Sequence, residues 1–346
     1  EHDRYPFVGF YADVLNKMHA VGFLNAILPT DLGGAGFGMA ALCEILRHIS
    51  AVDASPAGII FTQSLSQKIL LAAGARELAR NICSRASSVN DHLIAFPIYA
   101  NPTCTDALPL AQSNGGACML TGRVELLVSG GLARQAIVPA RAGRDPAYSF
   151  FLIHLDDSNV EKSDPIFTLG LHACPAVDVT LKGAKAHRIG EENEGPVYFD
   201  RILPEMNTAA AAINTGILHG TYSEALDYAR KREQGGRPLI HWSEISMMLA
   251  SLSVKADVAS MCVQQAYMEL ERRSSGYESL VSAAALHIAE MACEATGDGI
   301  QILGGYGYMK DYGQEKRYRD ARMVQTLMGG GPLKKLAMIR RRVNVT

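Results

Sequence analysis

Apolar positions along this chain change their spacing twice. Tyr11, Val14, Leu15 and Met18 recur at intervals of three and four, and Leu42, Ile45, Leu46 and Ile49 do the same. That spacing stacks them on one helical face and predicts helices from Tyr5 to about Asn90. Between the two groups, LPTDLGGAGFG has the turn chemistry of a glycine-rich loop. From His92 to Phe199 the texture is different. Short apolar runs such as CMLTGRVELLV, AIVPA and YSFFLIHL are punctuated by Gly, Pro, Asn and Asp, which predicts the strands of an all-β module. After Pro204 the helical period returns. Ile245, Met248, Leu249, Leu252, Ala259, Cys262, Ala266 and Leu270 trace one stripe over many turns, as in a bundle helix. The pattern predicts a multidomain α+β protein: an N-terminal helical domain over 1–91, a middle β domain over 92–200 and a C-terminal helical domain over 201–346.

A chain of 346 residues is too long for one small core and suits two or three packed subdomains. Its 48% hydrophobic and 20% charged residues are ordinary for a globular protein. A net charge of -2 gives no reason to expect nucleic acid or an acidic membrane surface as partner. No charged-then-apolar leader opens the chain, and no apolar run approaches the roughly 18 residues of a membrane span, so no span is expected. The seven cysteines lie far apart and form no CxxC pair. Free thiols in a reducing cytoplasm are therefore expected rather than disulfides or zinc, and no metal is expected.

Several strings then point to a family. VGFLNAILPTDLGGAG, ISAVDAS, KREQGGRPL and above all QILGGYGYMKDYGQEKRYRDAR resemble the signatures of the acyl-CoA dehydrogenases. GGxGY alone would be weak, but the last string stays in register from Gln301 to Arg322. The resemblance covers nearly the whole chain. It implies an acyl-CoA dehydrogenase-like fold: an N-terminal helical domain, a middle β-barrel or sandwich and a C-terminal four-helix bundle, usually in a homo- or hetero-tetramer. It further implies FAD bound across a subunit interface, an acyl-CoA substrate, and electron-transferring flavoprotein as a possible acceptor. In such a reaction a carboxylate removes the α-proton of the thioester while hydride leaves the β-carbon for the flavin.

Residue by residue, the resemblance is uneven. The family's usual catalytic Glu falls on Met328, and the minority base position falls on Met206. A thioether is no base at any accessible pH. Glu205 is a neighbour of the second position but points about 100° away on a helix. Its simpler reading is a first-turn carboxylate after Pro204. The loop expected to touch flavin ring and substrate reads YANPTCTD, with Tyr99, and with Thr105 and Asp106 alone keeping the final hydroxyl-carboxylate pair. The strand expected over the ring reads Leu126, Leu127 and Val128, with no side-chain donor. By contrast Arg232, Gln301, Gly304, Gly305 and Gly307 are kept. The resemblance assigns these to the pyrophosphate and adenosine end of a neighbour's FAD.

The groups lost serve a subunit's own chemistry, and those kept are lent to a neighbour. This pattern fits a subunit that completes a shared FAD site, in fatty-acid or aromatic-acid degradation. Retention of 301–322 is also open to a folding explanation, with Arg319 and Asp320 pairing, and Gly235 has replaced the Phe of the Arg-x-x-Phe-Gly string. Other readings stay open too. One is a desulfinase- or lyase-like FAD enzyme that needs no strong base. Another is a dehydrogenase using Glu205 or Tyr99. The last is a scaffold or acyl-CoA-binding protein without FAD. Flavin monooxygenases share the fold and rank lower.

Overall fold

The structure is a computed structural model and describes residues 12–85, 88–98, 107–114, 117–142 and 147–343. It separates into two compact units, one comprising the chain up to Gly38 with Gly58–Thr168 and His172–Met206, the other Met39–Ala57, Leu169–Leu171 and the chain from Asn207.

The first unit opens with α1 (Ala12–Ala20), whose Leu15 and Met18 are buried. The glycine-rich loop follows as two single 3-10 turns. At Gly34 a Cβ would overlap the Leu28 carbonyl, so the tight return after Pro29 requires glycine there. In the second unit lies α2 (Met39–Val52), with Leu42, Cys43 and Leu46 fully buried. The next helix, α3 (Ala54–Ala72), is buried on almost every face from Gly58 onward. Two shorter helices, α4 (Arg76–Arg85) and α5 (Val89–His92), complete the helical part. Ser88 and Asp91 cap α5 reciprocally, each side chain bonding the other's backbone N–H.

The β region is one sheet. Its strands are β1 (Ile94–Ala95), β2 (Leu110–Asn114), β3 (Ala117–Val128), β4 (Gln135–Ala140), β5 (Ser149–His154), β6 (Val160–Lys162) and β7 (Ala176–Ile189). They run in the order β1-β4-β5-β7-β3-β2, with β6 also on β7. Only the β1–β4 pairing is parallel among the described strands. Bridges Phe96–Val128 and Leu110–Arg141 join the two ends of this order, which curls the sheet toward a barrel. The expected middle β domain and its barrel-like form are thus observed.

Helix α6 (Gly195–Lys231) corrects one expectation. The helix begins well before Pro204, at Gly195–Pro196, where a proline in the first turn loses no intrahelical bond. Pro204 sits inside it. A hairpin of β8 (Glu233–Gln234) and β9 (Arg237–Pro238) leads to α7 (Ser243–Arg272), α8 (Tyr277–Leu303), α9 (Gln314–Val324) and α10 (Gly331–Val343). The stripe expected on α7 is buried at Leu249, Leu252, Ala259 and Ala266, joined by Ala256 and Val263. By length and composition α7 could also cross a membrane, contrary to the expectation that no segment would. Its Leu, Val, Met and Ala residues, interrupted by polar ones, raise its average without forming a long apolar run. That buried stripe, and the bonding of Lys255 to Asp298 of α8 at 3.2 Å, are features of a bundle helix.

Within the second unit α2 lies close against α6. Ser50 Oγ donates to the Ile213 carbonyl at 2.9 Å. A Cβ at Gly216 would overlap Ser50 and the Arg47 carbonyl, and one at Gly220 would overlap the Ala51 carbonyl. These two glycines, four apart on one helical face, permit the backbone approach.

Candidate functional site

In the first unit, Met206 is fully buried. Glu205 is ion-paired with Lys68 of α3 at 2.6 Å. It stands in the third turn of α6, so the expected first-turn role is corrected: that helix starts ten residues earlier, at Gly195. Val128 ends β3 with its side chain buried. Just before it, β3 bulges between Val124 and Leu127. Leu126 takes a positive φ of 51° there and its N–H bonds Asp178 at 2.9 Å. Tyr99, Thr105 and Asp106 lie outside the described residues.

In the second unit, α9 is held by ion pairs that the motif only partly foretells. Asp320 is bonded by Lys316 one turn back, at 2.5 Å, and by the Leu171 N–H at 2.7 Å. Arg319 reaches Glu315 at 2.7 Å. The expected Arg319–Asp320 pairing is thereby replaced by two i,i+4 pairs, since adjacent helical side chains diverge. Burial raises the Asp320 carboxyl above its usual range against the pull of Lys316. Burial also opposes the Lys316 charge, but Asp320 and Asp53 outweigh it and hold that ammonium pKa above its usual value.

After α9 the chain turns through Met328, which keeps a left-handed φ of 60° and a buried side chain. Such a conformation is uncommon for a residue with a Cβ. Gly329 follows at φ 100°. Lys334, in the first turn of α10, reaches back to donate to the Leu327 carbonyl. Burial pushes its pKa down to about 8. Sequence reasoning missed this lysine, because nothing in the spacing of KK at 334–335 says which of the two turns inward.

The glycines of the 301–307 stretch sort by cause. Gly304 has φ 59° and ψ -133°, a region reserved for glycine on backbone grounds alone. A Cβ at Gly307 would overlap the Ile300 carbonyl, so packing demands glycine there. Gly305 has neither reason: its φ is ordinary and a Cβ would meet nothing within 4 Å. Gln301 is exposed in the last turn of α8. Arg232, also exposed, follows α6 and stands over the Tyr306 ring, 5.6 Å from its centroid. Tyr306, Tyr312 and Tyr228 form edge-to-face contacts, with centroids 5.6 Å (306–312) and 5.8 Å (228–312) apart. With Arg232 these rings line a cavity of about 690 Å³, which Arg317, paired with Glu224, also lines. An exposed guanidinium, a ring cluster and a bare backbone at Gly305 suit a phosphorylated aromatic ligand such as the adenylate end of FAD. Among the described residues no His, Cys, Asp and Glu cluster could hold a metal ion.

Comparison with known proteins decides the family. Residues 1–90 match the acyl-CoA dehydrogenase N-terminal domain, and residues 193–343 match the acyl-CoA dehydrogenase C-terminal domain. This chain belongs to the acyl-CoA dehydrogenase family. It is 29% identical to an acyl-CoA dehydrogenase of Bacillus subtilis, covering 96% of this chain and 89% of the relative. It is 26% identical to a 3-(aryl)acrylate reductase of Clostridium sporogenes, over 95% and 89% of the two chains. The butyryl-CoA dehydrogenase of Megasphaera elsdenii shares the fold with a TM-score of 0.86 at 20% identity, over 97% of this chain and 91% of that one. The family is one of FAD-dependent oxidoreductases acting on acyl-CoA thioesters. The family's N-terminal and C-terminal domains are therefore both present in this chain.

Proposed function

We propose that this chain is the non-catalytic subunit of a mixed acyl-CoA dehydrogenase, in which it completes an FAD site whose base and ring contacts come from a partner chain. The observation that carries this reading is the contrast between Met328 and Gly305. Met328 holds a left-handed backbone at the position that the resemblance assigns to the catalytic Glu, but carries a thioether. Gly305 has no conformational or packing reason to be glycine, yet it stands beside the exposed Arg232–Tyr306 pair. A shared site needs the second feature and dispenses with the first.

When bound, FAD supplies the hydride acceptor. This chain's own residues bind and orient. Arg232 supplies a forked cation for phosphate oxygens, Gln301 a side-chain amide, and Gly305 bare backbone that a dinucleotide can approach. Gly304 and Gly307 shape the turn that presents them. No proton step falls to Met328, Met206 or the Lys68-paired Glu205. The proposal places the protein in a cytoplasmic hetero-tetramer acting on an acyl-CoA, with electron-transferring flavoprotein as the acceptor.

The test is flavin content. Arg232→Ala and Gly305→Val should each lower FAD bound per assembled oligomer, at sub-saturating flavin, by about tenfold, the loss expected for one charged hydrogen bond. Folding and assembly should persist. Unchanged flavin stoichiometry in both variants, with assembly intact, reduces the retained stretch to a packing relic and ends the proposal.

A further inference from the structure

The hairpin that follows Arg232 differs from the family string in a way that has a physical cause. Gly235 and Gly236 occupy its two-residue turn with φ of 64° and 83°. Positive φ at both central positions is the mark of a type I′ turn, which strongly favours glycine. A Cβ at Gly235 would lie 2.8 Å from Cζ2 of Trp242, so the indole fills the space that a side chain at 235 would take. Trp242 is also tied to the hairpin by Nε1, which donates to the Gln234 carbonyl at 3.2 Å.

The register then fixes which side chains share a face. Gln234 pairs with Arg237 and Glu233 with Pro238, and the Leu239 N–H bonds the Arg232 carbonyl at 2.8 Å. Side chains alternate along a strand, so Arg232, Gln234, Arg237 and Leu239 project from one face and Glu233 from the other. Arg232 and Arg237 are diagonal neighbours, a separation of roughly 7–8 Å between backbones that long side chains bridge. Both are exposed; among the described residues neither forms an ion pair within 4 Å, and Glu244 is the carboxylate whose charge Arg237 feels. The Arg237 guanidinium lies 3.9 Å from the Trp242 ring centre, a stacked arrangement that fixes its plane.

We propose that Arg237, braced by Trp242, is a second phosphate-binding residue that forms with Arg232 a two-arginine clamp for a diphosphate ester. Two forked cations on one ribbon face supply one fork for each phosphate of such a bridge, and Glu233 of the hairpin is turned away from it. Trp242 acts as a positioning residue, since it orders a side chain that otherwise loses rotamer freedom on binding. FAD and coenzyme A both carry a diphosphate bridge; FMN carries a single phosphate. The inference rests on the shared-site reading for the role of Arg232 and extends it to a residue that reading does not use.

The experiment titrates the full-length chain, as assembled, with FAD, coenzyme A and FMN by calorimetry. Emission of Trp242, the only tryptophan, is followed in parallel. Arg237→Ala should weaken whichever diphosphate ester binds by about tenfold, and Arg237→Lys by less, because an ammonium is only a point charge. FMN should be unaffected, and thermal melting should stay that of the parent. Loss for FAD alone names the flavin as the occupant; loss for coenzyme A alone names the thiol carrier. Equal affinity of parent and Arg237→Ala for both overturns the clamp. So does a parent chain whose Trp242 emission responds to neither. If Arg232→Ala weakens FAD while Arg237→Ala does not, the clamp fails and the shared site stands. If neither variant matters, both fall.

Discussion

Lys316 and Asp53, 263 positions apart, form an ion pair of 2.8 Å. The same ammonium bonds Asp320 at 2.5 Å, so one lysine joins the ISAVDAS string to the RDAR string. Asp320 is buried while Asp53 is partly exposed, which makes the two carboxylates unequal. Lys316→Met leaves a buried charge unpaired and should destabilise the fold by about 3–5 kcal/mol. Asp53→Asn, at the solvent side, should cost on the order of 1 kcal/mol. Denaturant unfolding of both variants checks the ranking. Equal costs would mean that Asp320 does not depend on Lys316.

His92 gives an acid limb to stability. Its ring is buried, one nitrogen lies 2.5 Å from the Asn25 amide oxygen, and its edge meets His19 at 4.8 Å between centroids. Burial, and secondarily His19, lower its pKa to about 4. A folded pKa below the unfolded value of about 6.5 means that the unfolded chain binds the proton first. Stability is therefore full above pH of about 6.5 and is lost as pH falls toward 4, by up to about 3 kcal/mol. Melting temperature measured from pH 7 to pH 4.5 should fall with pH, and His92→Asn should flatten that slope. A slope unchanged by the substitution would assign the acid limb to other groups.

Met328→Glu tests the catalytic frame. The backbone at 328 already holds the left-handed conformation, so glutamate enters with no new strain. The parent chain should oxidise saturated acyl-CoA far below typical enzyme rates of about 1–100 per second with an artificial acceptor. The variant should gain dehydrogenation where flavin is seated. A flavin-loaded variant with no gain shows that the loop no longer faces the thioester.

Much of the fold was legible because it rests on periodicity. The stripe on α7 and the short apolar runs before residue 200 survive any detail of packing. The proline at 204 misled because prolines usually open helices, and here the opening proline is Pro196. The site was legible as a set of residue types and not as causes. Gly304, Gly305 and Gly307 read alike in the sequence, yet Gly304 answers to backbone conformation, Gly307 to packing and Gly305 to neither. The packing of Trp242 against Gly235 was invisible, because it depends on a turn type that two glycines permit but do not announce. The inward turn of Lys334 depends on burial that no local pattern encodes.

Helix α2 belongs to a unit otherwise built mainly from the chain beyond Asn207. On a ribosome this order sets a delay. Leu42, Cys43 and Leu46 emerge early, while the α6 backbone that receives Ser50 at Ile213 is made much later. At roughly 5–20 residues per second the wait is on the order of ten to thirty seconds. During that interval an apolar helix face has no native partner to cover it. Nascent chains stalled before Asn207 should therefore be the species that chaperones hold, and release should follow synthesis of the bundle.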